Sequence, residues 1–225
     1  MMMSARIVAP EVLDSLESSD PRARRARGDL RRLHRVFGTA DVVARTLATP
    51  PEPRCILELG AGDATLLARV AERGPRGVTL TVVDQAPAVS RATYARYLHL
   101  GWRLEIVRAD ALEWLAQTNR RFDVAIALLF LHHFERDRLR PLLARVAACA
   151  DRFIACEPRR SVLALAASHA VGLLGASAVT RHDAVASVRA GFANEELSAL
   201  WPAAGWRLDE RRAGPFLHHL VACST

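Results

Sequence analysis

The sequence contains no lysine, and all 31 of its basic residues are arginine. This absence excludes every mechanism that depends on a lysine amine, including Schiff-base formation, the anchoring of pyridoxal phosphate and phosphate binding by a P-loop lysine. The absence of lysine and the 40 alanines among the 225 residues both fit the codon bias of a GC-rich genome. The formal net charge of +7 favours anionic partners, so nucleic acid has to be considered.

Cysteine is scarce as well, with four residues and no C-x-x-C pair or other metal-ligand spacing. Each cysteine lies in an apolar stretch, so we expect buried free thiols in a reducing cytosol and no bound metal. The first ten residues lack a long apolar core, which predicts no signal peptide and a cytoplasmic protein.

One long run without formal charge, residues 161–180, is flanked by arginines on both sides. It is long enough to cross a bilayer, but small and polar residues dilute its apolar character. The run predicts a buried helix, or a pair of short helices, and no transmembrane span.

The first 50 residues predict two helices. Asp20-Pro21 has the form of an N-cap followed by proline, and apolar residues then recur at three- and four-residue steps up to Phe37. Gly38 ends this helix, and a second one is expected over 39–47. The run 50–53 (PPEP) stops helical structure, so we predict a helical cover or substrate-lid segment over 1–50 and one domain over 51–225.

From residue 55 onward, strands and helices alternate. Strands are predicted over 55–59, 78–83, 103–108, 122–130, 152–156, 206–212 and 216–223. Helices are predicted over 64–73, 86–100, 111–117, 136–150 and near 194–201. Regular alternation predicts a doubly wound α/β fold with a parallel sheet, and the last two strands form a hairpin. Residues 160–193 interrupt the alternation and are expected to cap the substrate.

Three features follow successive predicted strands, at the edge where open α/β sheets bind ligands. The first is the glycine turn in ELGAGDA (58–64), where the backbone can approach a ligand closely. The second is Asp84, whose carboxylate can accept hydrogen bonds from two ribose hydroxyls. The third is Asp110-Ala111, placed to meet an exocyclic amine. An NAD site is the main rival, but the run is not G-x-G-x-x-G, and Asp63 would repel a pyrophosphate.

In these residues, the chain resembles the class I S-adenosylmethionine-dependent methyltransferases. The resemblance covers about 54–223 and rests on ILELGAGDATL (56–66), TVVDQAP (81–87), RADALEWL (108–115) and FDVAIALLFLHHF (122–134). It implies a seven-stranded Rossmann-like methyltransferase sheet whose last strand inserts antiparallel. Ala64 departs from the pattern, because many members have a third glycine there.

The resemblance also implies S-adenosyl-L-methionine as the cofactor. The residues that it assigns to cofactor binding are Glu58, Gly60, Gly62, Asp84, Gln85, Asp110 and Ala111. The first three would surround the methionine part and Asp84 would hold the ribose. Gln85 would flank the adenine, and the last two residues would meet its amine.

Candidate catalytic residues follow the fourth strand, where the resemblance places the substrate mouth. His132 and His133 could each remove a hydroxyl proton at neutral pH, although the pair could equally cap or pack the next helix. His169 and His182 could contact substrate from the capping segment. Glu157 is either a polar wall of the pocket or an acid favoured at a helix N-terminus.

The expected function is methyl transfer to a small, partly apolar acceptor, above all O-methylation of a phenolic, quinone-type or polyketide hydroxyl; the residues do not distinguish it from N- or C-methylation. No N-P-P-[YF] run follows the fourth strand, which disfavours methylation of adenine or glutamine amides. Two alternatives stay open. One is an RNA-binding methyltransferase that uses the seven arginines of 22–35, although no aromatic residues are interleaved with them. The other is a cofactor-binding protein without catalysis.

Overall fold

A computed structural model describes residues 5–202 and 204–225, and within these ranges the chain forms one seven-stranded sheet. The strands are β1 (Cys55–Leu59), β2 (Thr79–Asp84), β3 (Arg103–Arg108), β4 (Phe122–Leu128), β5 (Ala150–Pro158), β6 (Trp206–Ala213) and β7 (Leu217–Ser224). Their order is β3-β2-β1-β4-β5-β7-β6. The first five strands are parallel, and β7 runs antiparallel between β5 and β6. The predicted doubly wound α/β fold is confirmed.

The described helices surround this sheet. They are α1 (Pro21–Phe37), α2 (Thr39–Leu47), α3 (Thr65–Ala71), α4 (Arg91–His99), α5 (Ala111–Gln117), α6 (Arg136–Cys149), α7 (Val162–Ala170) and α8 (Ala178–Ala190). The Asp20 side chain accepts from the Arg22 N–H and caps α1, as the sequence predicts. Gly38, with φ of +68°, ends α1 and starts α2.

The core lies on both faces of the sheet, because neighbouring residues of the central strands point to opposite sides. In β1, Ile56 packs with α2 and α3, whereas Leu57 and Leu59 pack with α5 and α6. All three side chains are fully buried. Burial of both faces explains why β1 and β4 are mostly apolar in sequence, with Glu58 and Asp123 as their charged residues.

Three predicted elements differ from the structure. The helix expected over 86–100 begins only at Arg91, because the Ser90 side chain caps it there. The helix expected near 194–201 is wrong, because only Ser198–Leu200 forms a 3₁₀ turn. The N–H groups of Leu197 and Ser198 donate to the Glu210 carboxylate on β6, which ties this segment to the sheet instead of to a helix. The strand expected up to residue 130 ends at Leu128, since Leu129 has φ of +54° and turns the chain out of the sheet.

The uncharged run 161–180 forms α7, a 3₁₀ turn at Val171–Leu174 and the start of α8. The prediction of short helices is confirmed, but only one side of α7 is buried. Within the described residues, no helix combines the length and apolar character that crossing a membrane requires. Cys55 also differs from expectation, because its side chain is exposed.

Candidate functional site

The carboxyl ends of the five parallel strands meet at one edge of the sheet and build the candidate site. After β1 the chain makes a glycine turn in which Gly60, Gly62 and Ala64 all have positive φ, between 54° and 69°. The Gly60 N–H donates to the Val83 carbonyl at 2.9 Å, and the Tyr97 hydroxyl donates to the Ala64 carbonyl at 2.8 Å. These bonds hold Ala64 in a conformation that usually selects glycine, so the missing third glycine leaves the turn intact.

The turn lies directly beneath Phe130, the residue that follows the Leu129 bend. A Cβ atom on Gly60 would lie 2.0 Å from Phe130 Cδ2 and 2.4 Å from Cγ. Glycine is therefore required here by close approach as well as by its φ of +69°.

We expect Gly60→Ala to lower the free energy of unfolding by about 2 kcal/mol or more, because the methyl group overlaps a packed ring and the backbone conformation is strained. Urea unfolding followed by circular dichroism measures the effect. Gly62→Ala is the matched control, since a Cβ there meets nothing within 4 Å despite a similar φ. Equal losses for both variants would contradict the steric part of this prediction.

Asp84 ends β2 and holds the glycine turn through both of its carboxylate oxygens. Oδ2 accepts from the Gly62 N–H at 2.8 Å, and Oδ1 accepts from the Ala86 N–H at 2.7 Å. Each oxygen keeps a further lone pair. The side chain is thus fixed in place and can still accept bonds from a ligand.

Asp110 follows β3 and caps α5, because its Oδ1 accepts from the N–H groups of Leu112 and Glu113. Its Oδ2 accepts from Gln85 Nε2 at 2.8 Å. Burial alone would raise the pKa of Asp110, but these hydrogen bonds outweigh it, so the pKa is lowered and the group is an anion at neutral pH. Gln85, Asp110 and the adjoining Ala111 therefore lie together at the cleft, as predicted.

Glu58 is the most unusual residue of the site. Its side chain is buried next to the glycine turn, and Oε2 has no hydrogen-bond partner among the described residues. Burial, together with repulsion from Asp63 and Asp84, raises the pKa of Glu58 well above its ordinary value of 4.5. An unpaired buried acid that lines a cavity is suited to meet a cationic group of a ligand.

His132 lies between two carboxylates. Its Nδ1 is 2.8 Å from Glu157 Oε2, and its Nε2 is 3.3 Å from Glu11 Oε1. Burial would lower the pKa of His132, but the hydrogen bonds to Glu11 and Glu157 outweigh it and raise the pKa to about 9. His132 is therefore an imidazolium at neutral pH, and neither nitrogen is free to accept a proton.

Glu157 is fully buried and takes neither of the two roles suggested by the sequence. It does not line the cavity, and it does not cap the helix that follows it. Its Oε1 accepts from the N–H groups of Phe130 and Leu131, so it caps the 3₁₀ turn Leu131–His133 that follows β4. Through its other oxygen it also fixes the orientation of His132.

His133 has the opposite protonation state. Burial and the neighbouring positive charge of His132 lower its pKa, so the ring is neutral at neutral pH. Nδ1 lies 3.3 Å from Asp14 Oδ2, which favours a proton on Nδ1 and leaves the lone pair of Nε2 free. His34 of α1 also lines the cavity, and burial lowers its pKa to about 4.

Glu11 and Asp14, which belong to the segment before α1, could not be predicted as site residues from the sequence. This segment is tied to α8 because the Asp183 carboxylate accepts from the N–H groups of Val12 and Leu13 at 2.8 and 3.0 Å. Arg6 adds bonds to backbone carbonyls at the other end of the segment. No local pattern distinguishes these acids from solvated ones, because their meaning depends on contacts more than 100 residues away.

Together these residues surround a cavity of about 730 Å³. Its apolar wall consists of Leu13, Leu16, Leu30, Leu33, Phe37, Ala164, Ala167, Val171, Ala184, Val188, Phe216 and Leu217. Its floor contains the glycine turn, Asp84, Asp110 and Phe130, and His132 and His133 stand between the floor and the wall segments. His169 and His182 are exposed and do not line the cavity, so the suggestion that they contact substrate finds no support.

One group of side chains here could also hold a divalent cation. The ligand atoms of Glu11, His132 and His133 lie within 4.8 Å of one another, and two imidazoles with one carboxylate suit several transition metals. In the structure, hydrogen bonds to carboxylates already occupy both nitrogens of His132. The sequence-based expectation of no metal stays a prediction.

Part of the chain is similar in sequence to a known protein family. Residues 56–153, just under half of the chain, match a family described as a methyltransferase domain. A seven-stranded sheet with an antiparallel last strand is what the sequence resemblance implies, and the structure has such a sheet. Over residues 56–153 the chain is similar to methyltransferase domains.

Several known proteins are similar to all or part of this chain. Trans-aconitate 2-methyltransferase of Streptomyces avermitilis is 35% identical over 83 residues, which are 36% of this chain and 30% of that protein. An O-methyltransferase family protein from Burkholderia thailandensis is similar with a TM-score of 0.67 at 21% identity, over 92% of this chain and 61% of that one. The plantazolicin methyltransferase BpumL in complex with SAH has a TM-score of 0.65 at 16% identity, over 92% of each chain. The mitomycin 7-O-methyltransferase MmcR has a TM-score of 0.64 at 19% identity, over 95% of this chain and 60% of that one.

The chain spans less than a third of the length of the Streptomyces relative and about three fifths of the Burkholderia protein. The family match covers residues 56–153, so the segment before residue 56 lies outside it. The division into a cover over 1–50 and a domain over 51–225 therefore stays a prediction.

Proposed function

We propose that the protein is an S-adenosylmethionine-dependent methyltransferase that methylates a hydroxyl group of a small, partly apolar compound. The proposal rests on the two different environments of Asp84 and Glu58, two acids at the same edge of the sheet. One carboxylate is held rigidly with lone pairs to spare, and the other is buried without a partner.

The residues present fit the cofactor. Gly60 and Gly62 have no side chains, so a ligand can approach their backbone closely. Oε2 of Glu58, which has no partner among the described residues, can accept a bond from the positively charged methionine part. Asp84 holds the ribose hydroxyls, and Asp110 with Gln85 meets the adenine. When bound, S-adenosylmethionine supplies a methyl group that its sulfonium already activates.

The acceptor part of the proposal rests on the cavity wall and on His133. Alanine, leucine and phenylalanine side chains exclude water and favour an apolar body. Charged side chains also line the cavity, but Arg31 is paired with Asp63 and Arg138 with Asp110. Nε2 of His133 accepts the hydroxyl proton, and Asp14 orients the ring. His132 is a positioning residue in this scheme, since its imidazolium links Glu11 to Glu157. The Burkholderia protein, of an O-methyltransferase family, and the mitomycin 7-O-methyltransferase have similar folds, which supports oxygen as the acceptor atom.

Binding of S-adenosylhomocysteine tests the cofactor half of the proposal. We expect Asp84→Ala to weaken binding about 100-fold or more, because the change removes charge-assisted hydrogen bonds and releases the Gly62 N–H. Isothermal titration calorimetry measures the affinity. Asp209→Ala, an exposed aspartate of β6, is the matched control and should bind as the parent protein does. Absent binding, or equal affinity for the Asp84 variant, would contradict the proposal.

Transfer of a labelled methyl group tests the acceptor half. A panel of phenols, hydroquinones and hydroxylated polyketides is compared with the corresponding amines and with RNA. We expect label on hydroxylated compounds only. Tight binding of S-adenosylhomocysteine without transfer to any hydroxyl would overturn the acceptor assignment and leave the cofactor assignment standing.

A further inference from the structure

The outer side of α7 and of the turn after it is apolar although it faces solvent. We call this surface the outer stripe; it consists of Val162, Leu163, Ala166, Ala170, Leu173 and Leu174. Leu173 is 89% exposed, and Leu174 and Leu163 are 63% and 60% exposed. The exposed His169 lies beside these residues, but residues 161–180 carry no formal charge. A cluster of this kind on a protein surface marks an interaction site.

The inner side of the same helix lines the cavity through Ala164, Ala167, Ser168 and Val171. The segment is therefore apolar on both sides, whereas a surface helix normally carries charged residues on its outer face. One helix separates the outer stripe from the cavity.

Arginines border the outer stripe. The Arg181 side chain lies along the turn, since a Cβ on Gly172 would be 2.9 Å from Arg181 Cδ. Helix α1 joins the same edge, because Asp29 accepts from the Ser177 N–H at 2.7 Å and from the Thr180 hydroxyl at 3.0 Å. Arg25 and Arg32, four residues before and three after Asp29, lie on the face of α1 that meets this edge.

We infer that the outer stripe and its arginine border bind an anionic lipid surface. The leucines enter the boundary between headgroups and acyl chains, and the arginines contact lipid phosphates. Charge decides between this partner and a second copy of the chain. A two-fold dimer through the stripe would place the arginine border of one copy against that of the other, which is repulsive, whereas an anionic bilayer complements it.

RNA is also anionic, but it gives no reason for exposed leucines. Base recognition on single strands uses stacking on aromatic side chains, and the stripe has none. Lipid binding does not depend on the proposed reaction. If the protein both binds lipid and catalyses the proposed reaction, an apolar acceptor dissolved in the membrane has only α7 between it and the cavity. This consequence rests on the proposed function.

Co-sedimentation with vesicles tests this inference. The full chain is mixed with vesicles of phosphatidylcholine, with or without phosphatidylglycerol, at low and at high salt. We expect binding to the anionic vesicles and at least about tenfold weaker binding for the double variant Leu173→Glu/Leu174→Glu. Leu98→Glu on α4, where the leucine is 54% exposed, is the matched control and should bind as the parent does.

The arginine border has its own test. Arg25→Gln and Arg181→Gln should each weaken binding about fivefold and reduce its dependence on salt. Arg91→Gln on α4 is the control. Because all of these side chains are exposed, we expect unchanged melting temperatures, and Leu163→Glu serves as an independent second variant of the stripe.

Three outcomes would overturn the inference. The first is no preference of the parent protein for anionic vesicles. The second is undiminished vesicle binding by the leucine variants. It would also count against the inference if the arginine variants lost affinity for RNA but kept their affinity for vesicles. The third is a dimer, seen by sedimentation equilibrium, that Leu173→Glu/Leu174→Glu dissociates. Calorimetry with S-adenosylhomocysteine on the same samples reports separately on the cofactor site.

Discussion

His133→Ala is expected to lower kcat about 100- to 10,000-fold, the usual contribution of a positioned general base. The imidazole lines the cavity in its neutral form, and Asp14 favours a proton on Nδ1, which leaves Nε2 to act as the base. Single-turnover measurements with saturating cofactor give the rate of transfer. Affinity for S-adenosylhomocysteine should stay within about twofold of the parent value, since His133 has no assigned contact with the cofactor.

The pH dependence gives a second, independent readout of the same residue. The pKa of His133 is lowered below its ordinary value of 6.5, so the base is deprotonated and active at neutral pH. Activity should therefore fall as the pH drops through a pKa below 6.5, and should be level above it. This acidic limb should disappear in His133→Ala, whose residual rate depends on ionisation of the acceptor alone.

Variants of two other histidines test whether the effect is specific to His133. His34 also lines the cavity, but its pKa of about 4 makes it a weak base, so His34→Ala should reduce kcat far less than His133→Ala. His99, exposed on α4, is the neutral control. Parent-like turnover of His133→Ala would contradict the assignment. So would a loss of activity with a chelator that added Zn²⁺ restores, because His133 would then be a metal ligand.

The fold could be predicted from the sequence because its signals are local. Strands β1 and β4 are short and mostly apolar, and α1 has an aspartate cap with proline after it. Each of these patterns is decided within a few residues. The failed prediction near 194–201 has a non-local cause, namely the Glu210 carboxylate on a strand that comes later in the chain. Periodicity cannot register a hydrogen-bond partner that lies more than ten residues away.

The residues of the candidate site also fall into those set by local patterns and those set by distant contacts. The glycine turn, Asp84 and Asp110 follow directly from strands, so their placement could be predicted, and the structure brings them together at one edge. The roles of His132 and His133 could not be separated, because adjacent residues of one type differ only in what packs around them. Glu11 and Glu157 make one an imidazolium, while burial beside that charge keeps the other neutral.

The second large effect is expected from Glu58→Gln, which should make the protein more stable and bind the cofactor less well. Glutamine keeps the shape of the side chain and removes a carboxyl that is buried without a partner for Oε2. We expect the free energy of unfolding at pH 8 to rise by about 1–3 kcal/mol. Affinity for S-adenosylmethionine should fall about 10- to 100-fold, because a charge-assisted bond becomes a neutral one.

The stability gain should depend on pH in a definite direction. The pKa of Glu58 in the folded protein is raised above its ordinary value of 4.5, so the folded state holds a proton that the unfolded state has already released. The stability of the parent protein therefore falls as the pH rises above 4.5, until the folded-state pKa is passed. Glu58→Gln removes this loss, so the difference between the two proteins should be small near pH 4.5 and largest at pH 8.

Urea unfolding at both pH values and calorimetry with the cofactor measure the two halves of this prediction. Glu113→Gln, an exposed glutamate of α5, should change neither quantity. A stability gain with unchanged affinity would mean that Glu58 is strained but meets no cation, which would remove it from the cofactor site. Lower stability would mean that the carboxylate has a partner in solution, and the raised pKa would then be wrong. Opposite signs for stability and affinity would mark Glu58 as a residue kept for binding at a cost to the fold, because only a bound positive charge compensates a buried negative one.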